Sequence, residues 1–242
     1  MKLVIANKDD PELIVVFGSR GSKANHYSFF KTFTVYVTYS KHLYIFLAFP
    51  ATYFASLKPS GTMANMPAVT QEVQIMLGLA EAPSTTTEIE RFGAKDIQDL
   101  TWKNLLDAYA CTECGRCTSQ CPANLTGKAL SPRKIMMDTR DRLEEVGKAI
   151  QANQGQRPDD GKALYGDYIS SEELRACTTC QACVDACPIN LSPLDIILQL
   201  RRYQIMEEAN APASWNMMFG NLENNQAPWK FSPSDRFNWN QM

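Results

Sequence analysis

The stretch Cys111-Thr-Glu-Cys-Gly-Arg-Cys-Thr-Ser-Gln-Cys-Pro122 has a counterpart in Cys177-Thr-Thr-Cys-Gln-Ala-Cys-Val-Asp-Ala-Cys-Pro188. Both stretches have the spacing C-x2-C-x2-C-x3-C-P, and residues 123–176 separate them. Together they contain all eight cysteines of the 242-residue chain. A repeated motif that leaves no cysteine over predicts two complete sites of the same kind.

The spacing of each motif suits a cubane iron–sulfur cluster. Thiolates at three-residue steps in a tight turn direct three ligands at one cluster, and in two-cluster ferredoxins the fourth cysteine ligates the other cluster. The motifs therefore predict two [4Fe–4S] clusters with crossed ligation. The first cluster is predicted to be held by Cys111, Cys114, Cys117 and Cys187. The second is predicted to be held by Cys177, Cys180, Cys183 and Cys121.

Disulfides and zinc are the alternatives for a cysteine-rich chain, and both fit these motifs less well. No cleavable signal peptide is visible, so we expect a cytoplasmic chain, in which disulfides are rare. Structural zinc sites use two C-x2-C pairs or add histidine ligands, which leaves no role for the third and fourth cysteine of each motif. The two histidines, His26 and His42, lie far from both motifs in the sequence.

Charge and motif content exclude several functional classes. The formal net charge is −2 and the pI is about 5.8, so no nucleic-acid partner is predicted. No Ser/His/Asp or Cys/His arrangement lies near the motifs, no dinucleotide fingerprint is present and no thiol is spare, so no catalytic residue is predicted. The interspersed charges from Arg133 to Lys148 predict a solvated helix face.

Composition divides the chain into five segments. Residues 1–31 have no assigned function and hold two apolar runs, Leu3–Ile5 and Leu13–Phe17, that predict short strands. Residues 32–57 are aromatic and nearly uncharged, but the uncharged run is too short to span a bilayer and Pro50 interrupts it. The other predicted segments are a linker at 58–94, a cluster domain at 95–210 and an extended aromatic docking tail at 211–242.

Two interpretations stay open for each hydrophobic flank. Residues 32–57 either lie at a membrane interface through their aromatic side chains, or are buried against this domain or a partner subunit. Residues 211–242 either dock onto another protein or wrap the domain to which they belong.

Helix signals recur on both sides of the motifs. Ser131-Pro132 and Ser192-Pro193 each combine an N-cap with a proline suited to the first helical turn, and Ser170 forms a capping-box pattern with Glu173. An apolar stripe at helical spacing predicts packing beside the first cluster through Trp102, Leu105, Leu106 and Tyr109. Strand signals around the cysteines are weak. The predicted fold is therefore mainly α, an α-helical ferredoxin domain with irregular terminal segments.

With their helical spacer, the two motifs resemble those of a superfamily that includes the C subunit of heterodisulfide reductase. The same superfamily includes the iron–sulfur subunits of succinate, glycolate and anaerobic glycerol-3-phosphate dehydrogenases. The resemblance covers about residues 95–210 and implies an α-helical ferredoxin fold with two [4Fe–4S] clusters. The stretch from Tyr39 to Pro50 also resembles the cytoplasmic exit of the last membrane helix in larger, membrane-fused relatives. It implies a truncated or divergent member. The expected location is cytoplasmic, either free or peripheral on the cytoplasmic face of the inner membrane.

The function implied by two clusters without substrate apparatus is electron transfer. The resemblance implies a flavoprotein or Cys-Cys-Gly subunit as one partner and a membrane or quinone-linked protein as the other. The Cys-Cys-Gly repeats themselves are absent from this chain. One alternative is a catalytic subunit of a heterodisulfide-reductase-like or 2-hydroxy-acid oxidoreductase. The other is a structural docking module in which the clusters only hold the fold together.

Overall fold

The computed structural model describes residues 23–38, 40–58, 62–63, 65–81 and 91–241. The two strands predicted at Leu3–Ile5 and Leu13–Phe17 lie outside the described residues. The chain divides into two units, Met1–Ile45 and Phe46–Met242, and each is described by itself. Within the described ranges the structure is helical and contains no strand, only an isolated bridge between Tyr165 and Ile169. The predicted mainly α fold is confirmed.

The first unit contains helix α1, Lys23–Thr38, followed by a 3-10 turn at Lys41–Leu43. Helix α1 crosses position 31, where composition had suggested a segment boundary. Helix α2, Tyr44–Tyr53, begins in the first unit and continues into the second, with Pro50 inside it. No helix in the described ranges combines the length and the apolar character that crossing a membrane requires.

The predicted linker contains a helix that the sequence did not predict. Helix α3, Pro67–Met76, starts with a proline at its first turn, although no side chain caps it. The end of the linker is part of the domain, because Ala94 is fully buried and its N–H donates to the Gln199 carbonyl oxygen at 3.0 Å. Gly93 precedes it with φ +76°, a left-handed conformation that glycine adopts at little cost.

Three helices form the centre of the second unit: α4 is Trp102–Ala110, α7 is Pro132–Ala152, and α10 is Pro193–Arg202. Helix α7 packs against both α4 and α10. Their apolar faces supply the largest fully buried side chains, which include Ile135, Met136, Ile196, Ile197 and Leu200. Short helices carry the cysteine motifs around this centre: α5 Arg116–Ser119, α6 Pro122–Leu125, α8 Ser171–Ala176 and α9 Ala182–Asp185.

The predicted helix starts are confirmed by their caps. The Ser131 hydroxyl accepts a hydrogen bond from the Lys134 N–H at 3.3 Å, and the Ser192 hydroxyl accepts one from the Asp195 N–H at 3.2 Å. The capping box of α8 is also present, since Ser170 and Glu173 satisfy each other's backbone N–H. These bonds use donors that the first turn of a helix would otherwise leave unpaired.

The apolar stripe assigned to α4 was wrong at Trp102, whose side chain is 62% exposed. Its ring packs edge-on against Phe54, with 5.2 Å between ring centroids. Leu105 and Leu106 do pack against the core, but the fully buried positions of α4 include the polar Asn104 and Asp107. Asn104 is paired across the domain with Asp195 at 2.7 Å, which allows a polar residue where the pattern suggested an apolar one.

The prediction of a solvated face from Arg133 to Lys148 was wrong at Arg142, which is completely buried in α7. Its guanidinium makes two hydrogen bonds to Asp96, at 3.1 and 2.9 Å, and one to the Lys162 carbonyl oxygen at 2.7 Å. These partners come from distant parts of the chain. Charge patterning along one helix therefore gave no sign of them.

The tail from residue 211 was predicted to be irregular, and this was wrong for α11, Ala213–Asn225. The tail was predicted to be irregular because its aromatic residues lie among Asn, Gln and Pro, but Asn and Gln do not forbid a helix, and α11 begins just after Pro212. A 3-10 segment follows at Pro233–Gln241, and Arg236 donates hydrogen bonds to the carbonyl oxygens of Asn225 and Gln226 at the end of α11.

Candidate metal centres

A first pocket lies where the end of α4, helix α5 and the loop before α10 meet. Its lining includes the four cysteines predicted for the first cluster, which are Cys111, Cys114, Cys117 and Cys187. Cys111 follows directly on α4 and Cys117 lies on α5, whereas Cys187 comes from the second motif. The remaining wall is largely apolar and includes Met136, Ile189 and Leu191.

A second pocket is built in the same way from the other motif. Its lining includes the four cysteines predicted for the second cluster, which are Cys121, Cys177, Cys180 and Cys183. Cys177 follows α8 and Cys183 lies on α9, whereas Cys121 is the residue before α6 in the first motif. The fourth cysteine of the first motif, Cys121, is followed by a helix, whereas the fourth cysteine of the second motif, Cys187, is followed by a turn that begins at Pro188.

The thiols suit a cationic group that displaces their protons. All eight cysteines are free thiols. Burial raises the pKa of Cys111 to about 11 and that of Cys183 to about 12, since a thiolate is poorly solvated there. Iron ions would supply the positive charge that buried thiolates need. In the described ranges, no three His, Cys, Asp or Glu side chains form a group that could hold a single metal ion.

The loops point backbone N–H groups at sulfur. The Thr179 N–H donates to Cys177 Sγ and the Leu191 N–H donates to Cys187 Sγ, each at 3.4 Å. Hydrogen bonds to sulfur are one way in which a protein sets the potential of a cluster. Leu191 was missed, because its contribution is a backbone group and carries no side-chain signal.

Both motifs use left-handed residues at matching places. The residue before the second cysteine has φ +56° at Glu113 and φ +57° at Thr179. The residue after the second cysteine has φ +80° at Gly115 and φ +65° at Gln181. Left-handed conformations are uncommon for residues other than glycine, so their repetition indicates that both loops follow one backbone path.

Two arginines approach the motifs from the long helices, and sequence reasoning missed both. Arg140 on α7 forms an ion pair with Glu113, with 2.7 Å between Nη2 and Oε1. Arg201 on α10 donates from Nε to the Leu174 carbonyl oxygen at 2.9 Å and from Nη2 to the Cys177 carbonyl oxygen. A local signal existed, because each arginine lies nine residues after the serine of a Ser-Pro helix start.

Comparison with known families identifies the class of this domain. Residues 110–191 match the family model of the 4Fe–4S dicluster domain. The predicted cofactors, two [4Fe–4S] clusters, are thereby confirmed, and the two cysteine-lined pockets lie within the matched residues.

The relatives are named as oxidoreductases or their subunits, which agrees with the resemblance found in the motifs. The chain is 32% identical to the probable iron-sulfur-binding oxidoreductase FadF of Bacillus subtilis (strain 168), over 88% of this chain and 32% of that protein. It is 32% identical to the EtfAB:quinone oxidoreductase of Syntrophomonas wolfei subsp. wolfei, over 63% of this chain and 24% of that protein.

A third relative is the C subunit of the ferredoxin/F(420)H(2)-dependent CoB-CoM heterodisulfide reductase of Methanosarcina acetivorans. It is 32% identical over 44% of this chain and 52% of that relative. The chain therefore spans about a third of the FadF protein, a quarter of the quinone oxidoreductase and half of the heterodisulfide reductase protein.

Proposed function

We propose that this chain is an electron-transfer unit whose two clusters are held by crossed sets of cysteines in residues 95–210. One set is Cys111, Cys114, Cys117 and Cys187. The other set is Cys177, Cys180, Cys183 and Cys121. The proposal is supported by the lining of the two pockets, because each brings cysteines of both motifs together. The second pocket takes three cysteines from the second motif and Cys121 from the first, and the first pocket takes three cysteines from the first motif together with Cys187 and Cys183 from the second. When bound, the clusters supply one-electron chemistry, and the chain supplies their ligands, their insulation and their spacing.

The observation that carries this function is that the two sites adjoin. Cys183 lines both pockets, so the groups bound in them share a wall. Each pocket also has one solvent-exposed cysteine, Cys114 in the first and Cys180 in the second. A pair of adjacent redox centres, each with its own approach from solvent, suits a relay in which electrons enter at one cluster and leave at the other.

The proposed partners are other subunits of an oxidoreductase complex. A flavoprotein or a Cys-Cys-Gly subunit would exchange electrons with one cluster, and a membrane or quinone-linked protein with the other. The names of the relatives support this arrangement, because one is a quinone oxidoreductase and another belongs to a heterodisulfide reductase.

We also propose that the hydrophobic segment at 32–57 makes a peripheral contact with the cytoplasmic face of the inner membrane. In the second unit, this segment exposes Phe49 (76%), Tyr53 (82%) and Leu57 (100%). Exposed aromatic side chains are typical of interfacial segments. The purified chain should float with vesicles of bacterial lipid, and Phe49→Glu with Tyr53→Glu should reduce the floating fraction. The matched variant Phe231→Glu, in the C-terminal tail, should float like the native chain. Equal flotation of all three proteins would contradict the membrane contact.

Metal analysis with EPR tests the electron-transfer proposal. Protein purified anaerobically should contain about eight irons and eight acid-labile sulfides per chain, and dithionite should produce signals from two interacting reduced clusters. Cys114→Ser should disturb the first cluster and leave the second assembled and reducible, now with the signal of an isolated cluster, because Cys114 lines only the first pocket.

The control is Cys180→Ser, which should do the reverse because that side chain lines only the second pocket. Loss of the same cluster in both variants would refute the assignment of Cys114 and Cys180 to different clusters. Clusters that dithionite cannot reduce would refute the relay and favour a purely structural role.

A further inference from the structure

The two halves of the domain place an arginine at the same position beside each cluster site. Arg140 lies nine residues after Ser131, and Arg201 lies nine residues after Ser192. These serines cap α7 and α10, the helices that follow the two motifs. The matching positions show that both arginines belong to the internal repeat.

Each arginine lies beside the first cysteine of one motif. Arg140 pairs with Glu113, which stands two residues after Cys111. Arg201 donates a hydrogen bond from Nη2 to the Cys177 carbonyl oxygen. A positive charge in such a position favours negative charge on the cluster that the cysteine would hold.

The surroundings of the two arginines differ at one position. Glu113, two residues after Cys111, pairs with Arg140 at 2.7 Å, and the two side chains are only 25% and 11% exposed. The matching residue two positions after Cys177 is Thr179, which carries no charge and bonds the Thr178 carbonyl oxygen.

Arg201 is bound differently from Arg140. Its hydrogen bonds go to the neutral carbonyl oxygens of Leu174 and Cys177, and no described residue brings a carboxylate within ion-pair distance of it. The first site therefore contains a neutralised arginine, and the second site contains an arginine with its charge uncompensated.

We propose that the Glu113/Thr179 difference sets the relative reduction potentials of the two clusters. This inference rests on the proposed two-cluster relay. Reduction adds one electron and hence one negative charge to a cluster, so a nearby uncompensated cation stabilises the reduced state. Arg201 thus raises the potential of the second cluster, whereas Glu113 cancels the same effect of Arg140 at the first. Arg116 and Arg133 also line the first pocket, but both are exposed, and water and salt screen exposed charges. The second cluster is then the one that holds the electron between transfers.

Exchange of the two residues tests the proposal. Glu113→Thr should raise the potential of the first cluster, and Thr179→Glu should lower that of the second. We expect about a tenfold change in the ratio of reduced to oxidised cluster at a fixed potential, which corresponds to about 59 mV for one electron. The two positions have nearly equal left-handed φ values, and Thr179 shows that this loop path accommodates a threonine. Arg201→Gln should also lower the potential of the second cluster.

The measurement is an EPR-monitored redox titration of the full, cluster-loaded chain, with dithionite as the reductant. The Cys180→Ser variant assigns the signals, because it perturbs the second cluster. Glu223→Thr on the exposed face of α11 removes the same charge far from either motif in sequence and should leave both potentials unchanged. Potentials of Glu113→Thr and Arg201→Gln that equal those of this control would overturn the proposal. A native chain without reducible clusters would instead refute the proposed function.

Discussion

Replacing Arg142 by methionine should destabilise the domain more than any other loss of charge on α7. The Arg142 side chain is 0% exposed and its partner Asp96 is 5% exposed. Methionine keeps the unbranched apolar stem but removes the hydrogen bonds to Asp96, to Asp160 at 3.0 Å and to the Lys162 carbonyl oxygen. Asp96 would then remain charged in a buried site with fewer partners.

The expected loss follows from the burial of the pair. Removing one partner of a buried ion pair costs about 3–5 kcal/mol, because the other charge is left uncompensated. Arg157 continues to pair with Asp96 at 2.6 Å, so we expect the lower end, about 3 kcal/mol. For a protein of this size, that loss lowers the melting temperature by about 6–12 °C.

The assay is thermal unfolding of the cluster-loaded protein under anaerobic conditions, followed by helical circular dichroism. Lys148→Met is the matched control, because it removes a charge from an exposed position on the same helix. The double variant Arg142→Met with Asp96→Asn should recover part of the loss, since it also removes the unpaired carboxylate. If Arg142→Met melts within about 2 °C of the control, a shift below about 1 kcal/mol, the buried network contributes little and the reasoning fails.

Two further predictions concern other contacts of the same domain. Gly93→Ala should lower the free energy of unfolding by about 3 kcal/mol, because the new Cβ would lie 2.5 Å from the Tyr203 backbone nitrogen. Gly78→Ala should lower it by only about 1 kcal/mol, since Gly78 has a similar φ of +69° but a Cβ there would have no neighbour within 4 Å. Equal melting temperatures of the two variants would contradict the clash at Gly93. The second prediction is that the contribution of Asp96 to stability depends on pH. Burial raises the pKa of Asp96, but hydrogen bonds from Arg142, the Ile97 N–H and Arg157, with the charge of Arg142, outweigh burial and hold the pKa below 3.8. Because the folded-state pKa is depressed, the stabilisation by the Asp96 carboxylate is fully present above the unfolded-state pKa. It is lost as the pH falls from the unfolded-state pKa through the folded-state pKa. The difference in melting temperature between the native protein and Asp96→Asn should therefore narrow below pH 3.8, and a gap that widens in acid would refute the sign.

Local signals predicted the helices well where a cap and an apolar face coincide. The start of α7 at Ser131 and that of α10 at Ser192 were predicted because one side chain satisfies a nearby N–H and proline suits the first turn. Trp102 was misplaced, because spacing alone does not say which face of a short helix meets the core. Helix α11 was missed because composition describes average propensity, whereas contacts such as those of Arg236 stabilise one particular conformation.

The sequence by itself determined the cofactors and the class of protein. Cysteine spacing within a motif is set by bond lengths and by the turn that wraps a cluster, so the twelve residues of one motif are enough to indicate a cluster. It also determined that the fold repeats, since both motifs are followed by a Ser-Pro helix start.

Only the tertiary structure decided which charges meet. Arg142 is bonded to an aspartate 46 positions earlier in the chain, and Arg201 reaches carbonyl oxygens on α8 and just after it. Pairing of this kind depends on distance in space, and a charged residue has the same local pattern whether it faces water or a buried partner. The neutralised arginine at one cluster site and the uncompensated arginine at the other therefore became visible only when the helices were packed together.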